Sequence, residues 1–147
     1  RGGRVMIEVK TYRLVEEMVT ANPLHNGPVL AFRIPESARR PTADALTKSR
    51  APLSEGERAL LSIEESLWQR TLLSIEEALV VMGANLRREP WKWVPRGLLI
   101  PKPGGCRAVA EVGDWVLRPP PPRSAAFSHK TDLAFRRAYV LEDEADG

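Results

Sequence analysis

At 147 residues, 43% hydrophobic and 28% charged, the chain is long enough for one domain with a real core and ordinary in composition for a folded protein. Its single cysteine, Cys106, excludes an internal disulfide and a thiolate metal cage, and no apolar run approaches the roughly 18 residues a membrane span requires. The net charge of +3 is modest, but Arg outnumbers Lys seventeen to five, and Arg is the better residue for bidentate phosphate or carboxylate contacts.

From the N-terminus, residues 4–9 are compatible with strand or helix. Ile7, Leu14, Val15, Met18 and Val19 share a helical face, which predicts a short helix near 10–20, stopped by Asn22-Pro23. His25-Asn26-Gly27-Pro28 is turn chemistry, and residues 29–34 read as a short edge strand, or one arm of a hairpin, closed by Pro35. Residues 35–53 are a linker or arm by composition. Arg39, Arg40, Lys48 and Arg50 make it basic, and it holds too little apolar surface to order itself without a partner.

The organising stretch is a long helix over 54–88. Ser54 and Glu57 match a capping box, Glu55 suits the positive end of the helix dipole, and Pro90 ends the run. Trp68, Leu72, Ile75, Leu79, Met82 and Leu86 form one apolar stripe; Leu60, Ile63 and Leu67 form a second. The phrase at 60–67 returns at 72–79. A twelve-residue repeat on one helix turns through about 120° net, so the two copies point in different directions. The helix is therefore either continuous and covered on two sides, with a kink near 69–71 allowed, or broken into a hairpin there.

Past Pro90, Trp91-Lys92-Trp93-Val94-Pro95 is extended. Residues 98–117 read as edge strands or a hairpin, turning at Gly104-Gly105 and again at Gly113-Asp114. Four prolines from Pro119 to Pro122 form a stiff spacer within a Pro-rich arm at 118–130. Thr131 or Asp132 caps a short helix near 132–141, and an acidic tail at 142–147 is expected to be mobile.

These elements add up to a mainly α fold with a small β component, a single domain over 1–147 with extended arms. Nothing in the chain marks a catalytic, cofactor or metal site. His25 and His129 lie far apart and in no metal-ligand spacing, and Cys106 has no base beside it in sequence. Glu64-Glu65 and Glu76-Glu77 are adjacent on a helix and diverge by about 100°. The best functional signal is residues 87–107, where Arg87, Arg88, Lys92, Arg96, Lys102 and Arg107 face one acid, Glu89, and interleave with Trp91 and Trp93. Either the indoles cap the core, or they stack on exposed bases while the cations hold phosphates.

The expected function is a non-catalytic structural subunit of a large assembly, foremost a ribonucleoprotein such as an organellar ribosome. Basic arms would touch RNA, and the helix would touch protein neighbours. The alternative is a peripheral subunit of a membrane-bound or viral assembly held by protein contacts alone; a small enzyme comes third. One cysteine suits an intracellular, reducing compartment, with the mitochondrial matrix in view. The chain opens at Arg1 and is read as trimmed. A free-standing globule with its arms packed around a polar cleft would contradict this expectation.

Overall fold

The strand Val29–Arg33 (β2) carries the body of the protein, because it is buried on both faces. The computed structural model describes residues 6–15, 27–41, 54–102, 107–120 and 126–142. On one side β2 pairs with Lys10–Leu14 (β1), with Lys10 opposite Ala31, and β1 pairs in turn with Tyr139–Leu141 (β8). On the other side it pairs with Trp115–Arg118 (β6), with Phe32 opposite Val116, and β6 pairs with Ser128–Lys130 (β7). The result is a five-stranded antiparallel sheet in the order β7-β6-β2-β1-β8. Lys92–Val94 (β3), Gly97–Pro101 (β4) and Arg107–Ala110 (β5) form a second antiparallel sheet, with β5 lying against β7.

Period-two alternation divides the side chains of β2 and β6 between two cores. Phe32, Ile34 and Val116 point to one face, where they meet Leu98, Ile100 and Ala110 of the second sheet and Ile75, Ala78, Leu79 and Met82 of the long helix. Val29, Ala31 and Leu117 point to the other, under Phe135 of the short helix Asp132–Ala138 (α2). There Trp115 stacks on Phe135 at 4.1 Å and 8°, and Tyr12 meets Phe135 edge-on at 5.0 Å. Such edge and offset contacts add about 0.5–1.5 kcal/mol each beyond area burial.

The long helix, Glu55–Val81 (α1), is one unbroken element of 27 residues, about 40 Å long at 1.5 Å per residue. Its start is the capping box read from sequence: Glu57 N donates to Ser54 Oγ (3.1 Å) and Ser54 N donates to Glu57 Oε1 (3.0 Å). Its end lies well before Pro90. Gly83 takes a φ of +97°, Gly83 N donates to Val80 O, and Ala84 N donates to Leu79 O, a Schellman closure. The Arg118 guanidinium completes that end, donating to Met82 O at 3.2 Å while lying 4.6 Å from the Phe127 ring centroid. A cation there complements the negative end of the helix dipole.

Several expectations are therefore corrected. The fold is not mainly α: among the described residues, eight strands in two antiparallel sheets form the body, with one long helix and one short one. Strand β1 occupies the first half of the segment expected to be helix at 10–20; residues 16–20 lie outside the described residues. Pairing with both β2 and β8 overrides a helix-compatible spacing there. Strand β2, expected at an edge, is central, and both its faces are covered, so polar residues do not mark a solvent side. The helix stops at Val81, which leaves Leu86 in a following turn, partly buried against the core. The supposed arm at 118–130 ends in a buried Phe127 and in β7.

Candidate functional site

Pro35 ends β2 and starts a single 3-10 turn, Glu36–Ala38, that lies across α1. Two polar contacts hold it there. The Trp68 indole N–H donates to Ala38 O (3.1 Å), and the buried Thr71 hydroxyl, which donates to Leu67 O (2.8 Å), is hydrogen-bonded to the Ser37 hydroxyl (2.8 Å). At least as far as Pro41, then, the supposed arm is packed on its own helix. This lays Arg40 over the Trp68 ring, its guanidinium carbon 5.3 Å from the centroid, a cation–π contact. Beside it, Arg39 Nε donates to Glu36 Oε1 at 2.7 Å, and that hydrogen bond, joined by the charge of Arg39, holds the Glu36 carboxyl below its usual range.

The facing wall comes from the second sheet. Strand β3 presents Trp93 and Val94, its turn into β4 presents Pro95 and Arg96, and Arg96 reaches Glu111 at 3.2 Å across the mouth of the β5–β6 turn. Gly97 makes this approach possible, because a Cβ there would overlap the Ala110 carbonyl. Between the walls lies a cleft of about 260 Å³, lined by Arg39, Arg40, Arg96 and Glu111 together with Trp68, Leu72 and Trp93. A second cleft of about 240 Å³ shares Arg39 and Arg40 and runs on past Glu36 and Pro41 to Glu64 and Leu67.

Beyond Leu67 toward its N-terminus, α1 leaves the body. Every residue from Glu55 to Leu67 is exposed except Leu61, which is half-buried. Leu60, Ile63 and Leu67 are 57%, 65% and 39% exposed and lie on one helical face.

Four of the cation and indole positions marked from sequence (Arg39, Arg40, Trp93 and Arg96) come together here with Trp68 and Leu72 from the helix. The others do not join them. Arg87 and Arg88 sit in a tight turn over 85–89, where both backbone N–H groups donate to Asn85 Oδ1. Trp91 is engaged inside the fold: its N–H donates to Glu89 Oε1 at 3.0 Å, and its ring meets Phe127 edge-on at 4.8 Å. Lys92 and Arg107 are exposed on the second sheet, and Lys102 is half-buried at its edge. Lys48, Arg50, His25 and Cys106 lie outside the described residues. Sequence reasoning passed over Glu36, Glu111 and Pro41, for which a three-residue turn and a sheet-to-sheet approach leave no local signal.

Among the described residues, His129 Nδ1 lies 3.4 Å from Asp114 Oδ2. Among the described residues no cluster of His, Cys, Asp and Glu could hold a metal ion, and no helix is long and apolar enough to cross a membrane. Comparison with protein-family profiles, with curated proteins and with solved structures found no match.

Proposed function

We propose that this chain is a non-catalytic binding subunit of a larger assembly, held to a protein neighbour by the first half of α1. The observation that supports it is the row Leu60, Ile63 and Leu67, left in water on a helix whose second half buries Thr71, Ile75, Ala78 and Leu79 in the body. Single exposed apolar residues are ordinary on protein surfaces. Three at i, i+3 and i+7 on a projecting helix match the anchor spacing of helix-in-groove recognition. Burying each side chain is worth about 1.5–3 kcal/mol, enough in sum to offset part of the freedom lost on association.

Site-specific photo-cross-linking in the native host tests this. A photoreactive side chain at position 63 should yield a discrete, protease-sensitive adduct, and one at position 65, on the far side of the helix, should not. Absence of an adduct at 63 ends the proposal.

A second reading places the chain in a ribonucleoprotein, with the organellar setting that goes with it. It is favoured by Arg87, Arg88, Lys92 and Arg107, all exposed and without a carboxylate ion-pair partner among the described residues. Phosphate contact by these side chains requires affinity for a single-stranded oligoribonucleotide to fall as salt rises. Arg87→Ala or Arg88→Ala should then flatten the slope by about 0.7 per lost contact. No measurable binding at about 50 mM salt, where phosphate contacts are least screened, removes it.

A further inference from the structure

We propose that the neighbour docked on α1 is a second copy of this chain, its own α1 laid antiparallel along the outer side of the first. This deepens the reading of α1 as a docking element and rests on it.

The outer side of α1 is apolar along most of its length. Ile63, Leu67, Leu73, Val80 and Val81 are all exposed. At about 100° per residue they fall within about 140° of arc, on the side turned from the buried Thr71, Ile75, Ala78 and Leu79. Met6, 77% exposed, extends this surface beside Val81, where a groove of about 220 Å³ runs between α1 and residues 6–9. Contiguous apolar surface of this kind marks an interaction site.

A two-fold interface has to complement itself, because residue i of one copy meets j of the other and j meets i. A face made for an unrelated partner carries no such constraint, and the outer side of α1 satisfies it in three ways. Between Ile63 and Val81 the charged side chains on that side are Arg70 and Glu77, opposite in sign and about two turns apart on one line. A half-turn about the point between Leu73 and Ser74 sets Arg70 of each copy against Glu77 of the other. Arg70 Nε donates to Ser66 O at 3.3 Å, and a guanidinium carries donors for more than one acceptor.

The apolar positions obey the same half-turn. Leu67 comes opposite Val80, and Ile63 comes within one turn of Val81, facing the groove beside Met6. That groove is smaller than the sites that hold cofactors and suits one side chain. The third feature is the charge at the two ends. The first half of α1 holds Glu55, Glu57, Glu64 and Glu65 against Arg58, and its C-terminal end is followed by Arg87 and Arg88, exposed in their turn. Antiparallel pairing carries the acidic end of each helix past the basic end of the other. A parallel pair would set Arg70 on Arg70 and acid on acid, which opposes association.

Each copy keeps its own two cores, so the separated chain stays folded on dilution. The test is the mass of the purified full chain by sedimentation equilibrium over a dilution series. A dimer is expected at about 100 µM, dissociating as the concentration falls. Arg70→Glu and Glu77→Arg each set like charges against one another and should weaken the dimer about tenfold or more, with melting curves of the diluted chains unchanged. An equimolar mixture of the two variants should recover the dimer, because every like-charge contact becomes an opposite one. The adduct from position 63 should have twice the mass of the chain. A monomer at that concentration, a dimer indifferent to both variants, or a mixture without recovery overturns the proposal. A monomer that cross-links from position 63 to a different protein removes the second copy and leaves docking by α1 standing; absence of any adduct there ends the docking reading itself.

Discussion

Asp132 joins two elements through one carboxylate. It accepts from the Trp115 indole N–H and from Arg136 Nε, both at 2.8 Å, and faces Arg33 at 3.6 Å. The Trp115 hydrogen bond first, then that of Arg136 and the nearby positive charges, hold its carboxyl below the usual aspartate range. A carboxyl depressed on folding stabilises the protein above its unfolded pKa of about 3.9, and that contribution is lost as pH falls through the lower folded value. Asp132→Asn should therefore cost about 1 kcal/mol at pH 7 and flatten the acid limb below about pH 4, read as urea midpoints against pH. Glu57, lowered chiefly by its hydrogen bond from the Ser54 backbone, acts with the same sign. Gly97 makes the opposite demand, for an absent side chain. Gly97→Ala must push β4 off the Ala110 carbonyl and should destabilise by about 1–3 kcal/mol, seen as a lowered melting temperature.

The repeated phrase on α1 shows how an element assigns different fates to one sequence. Ile75 and Leu79 of the second copy are 0% and 1% exposed, while their counterparts Ile63 and Leu67 lie in water. The net rotation of about 120° over twelve residues turns one copy into the core as the other turns away. Ile75→Ala should cost about 3 kcal/mol by leaving a cavity. Leu60→Ala or Ile63→Ala should change stability by less than about 0.5 kcal/mol, and chemical denaturation of the three variants separates the cases. Equal losses would mean that the first half of α1 packs as the second does.

For the molecule as a whole, strand order couples the two ends of the described chain. β1 lies between β2 and β8, and the face carrying Val29, Ala31 and Leu117 is covered by α2. A chain ending at residue 131 lacks both α2 and β8. It should expose that aromatic core, bind a hydrophobic dye and be digested far faster than the full chain. Protection equal to the full chain's would mean that the first core suffices.

Local chemistry carried the start of α1, since Ser54 and Glu57 close their box within four residues. It also carried the position of β2 and the cap of α2, where Ala134 N donates to Thr131 Oγ1. The balance of the fold was not legible. Strands of three to five residues leave short patterns, and β1 and β2 gain their partners from residues 115–141, far along the chain. The candidate site was half visible: Arg39, Arg40, Trp93 and Arg96 stood out by type. Sequence alone determined which side chains could grip an anion or an apolar group. Only tertiary structure decided that a 3-10 turn, a helix and a second sheet would bring four of them to one cleft and leave Arg87 and Arg88 elsewhere, because convergence depends on packing between segments that share no local signal.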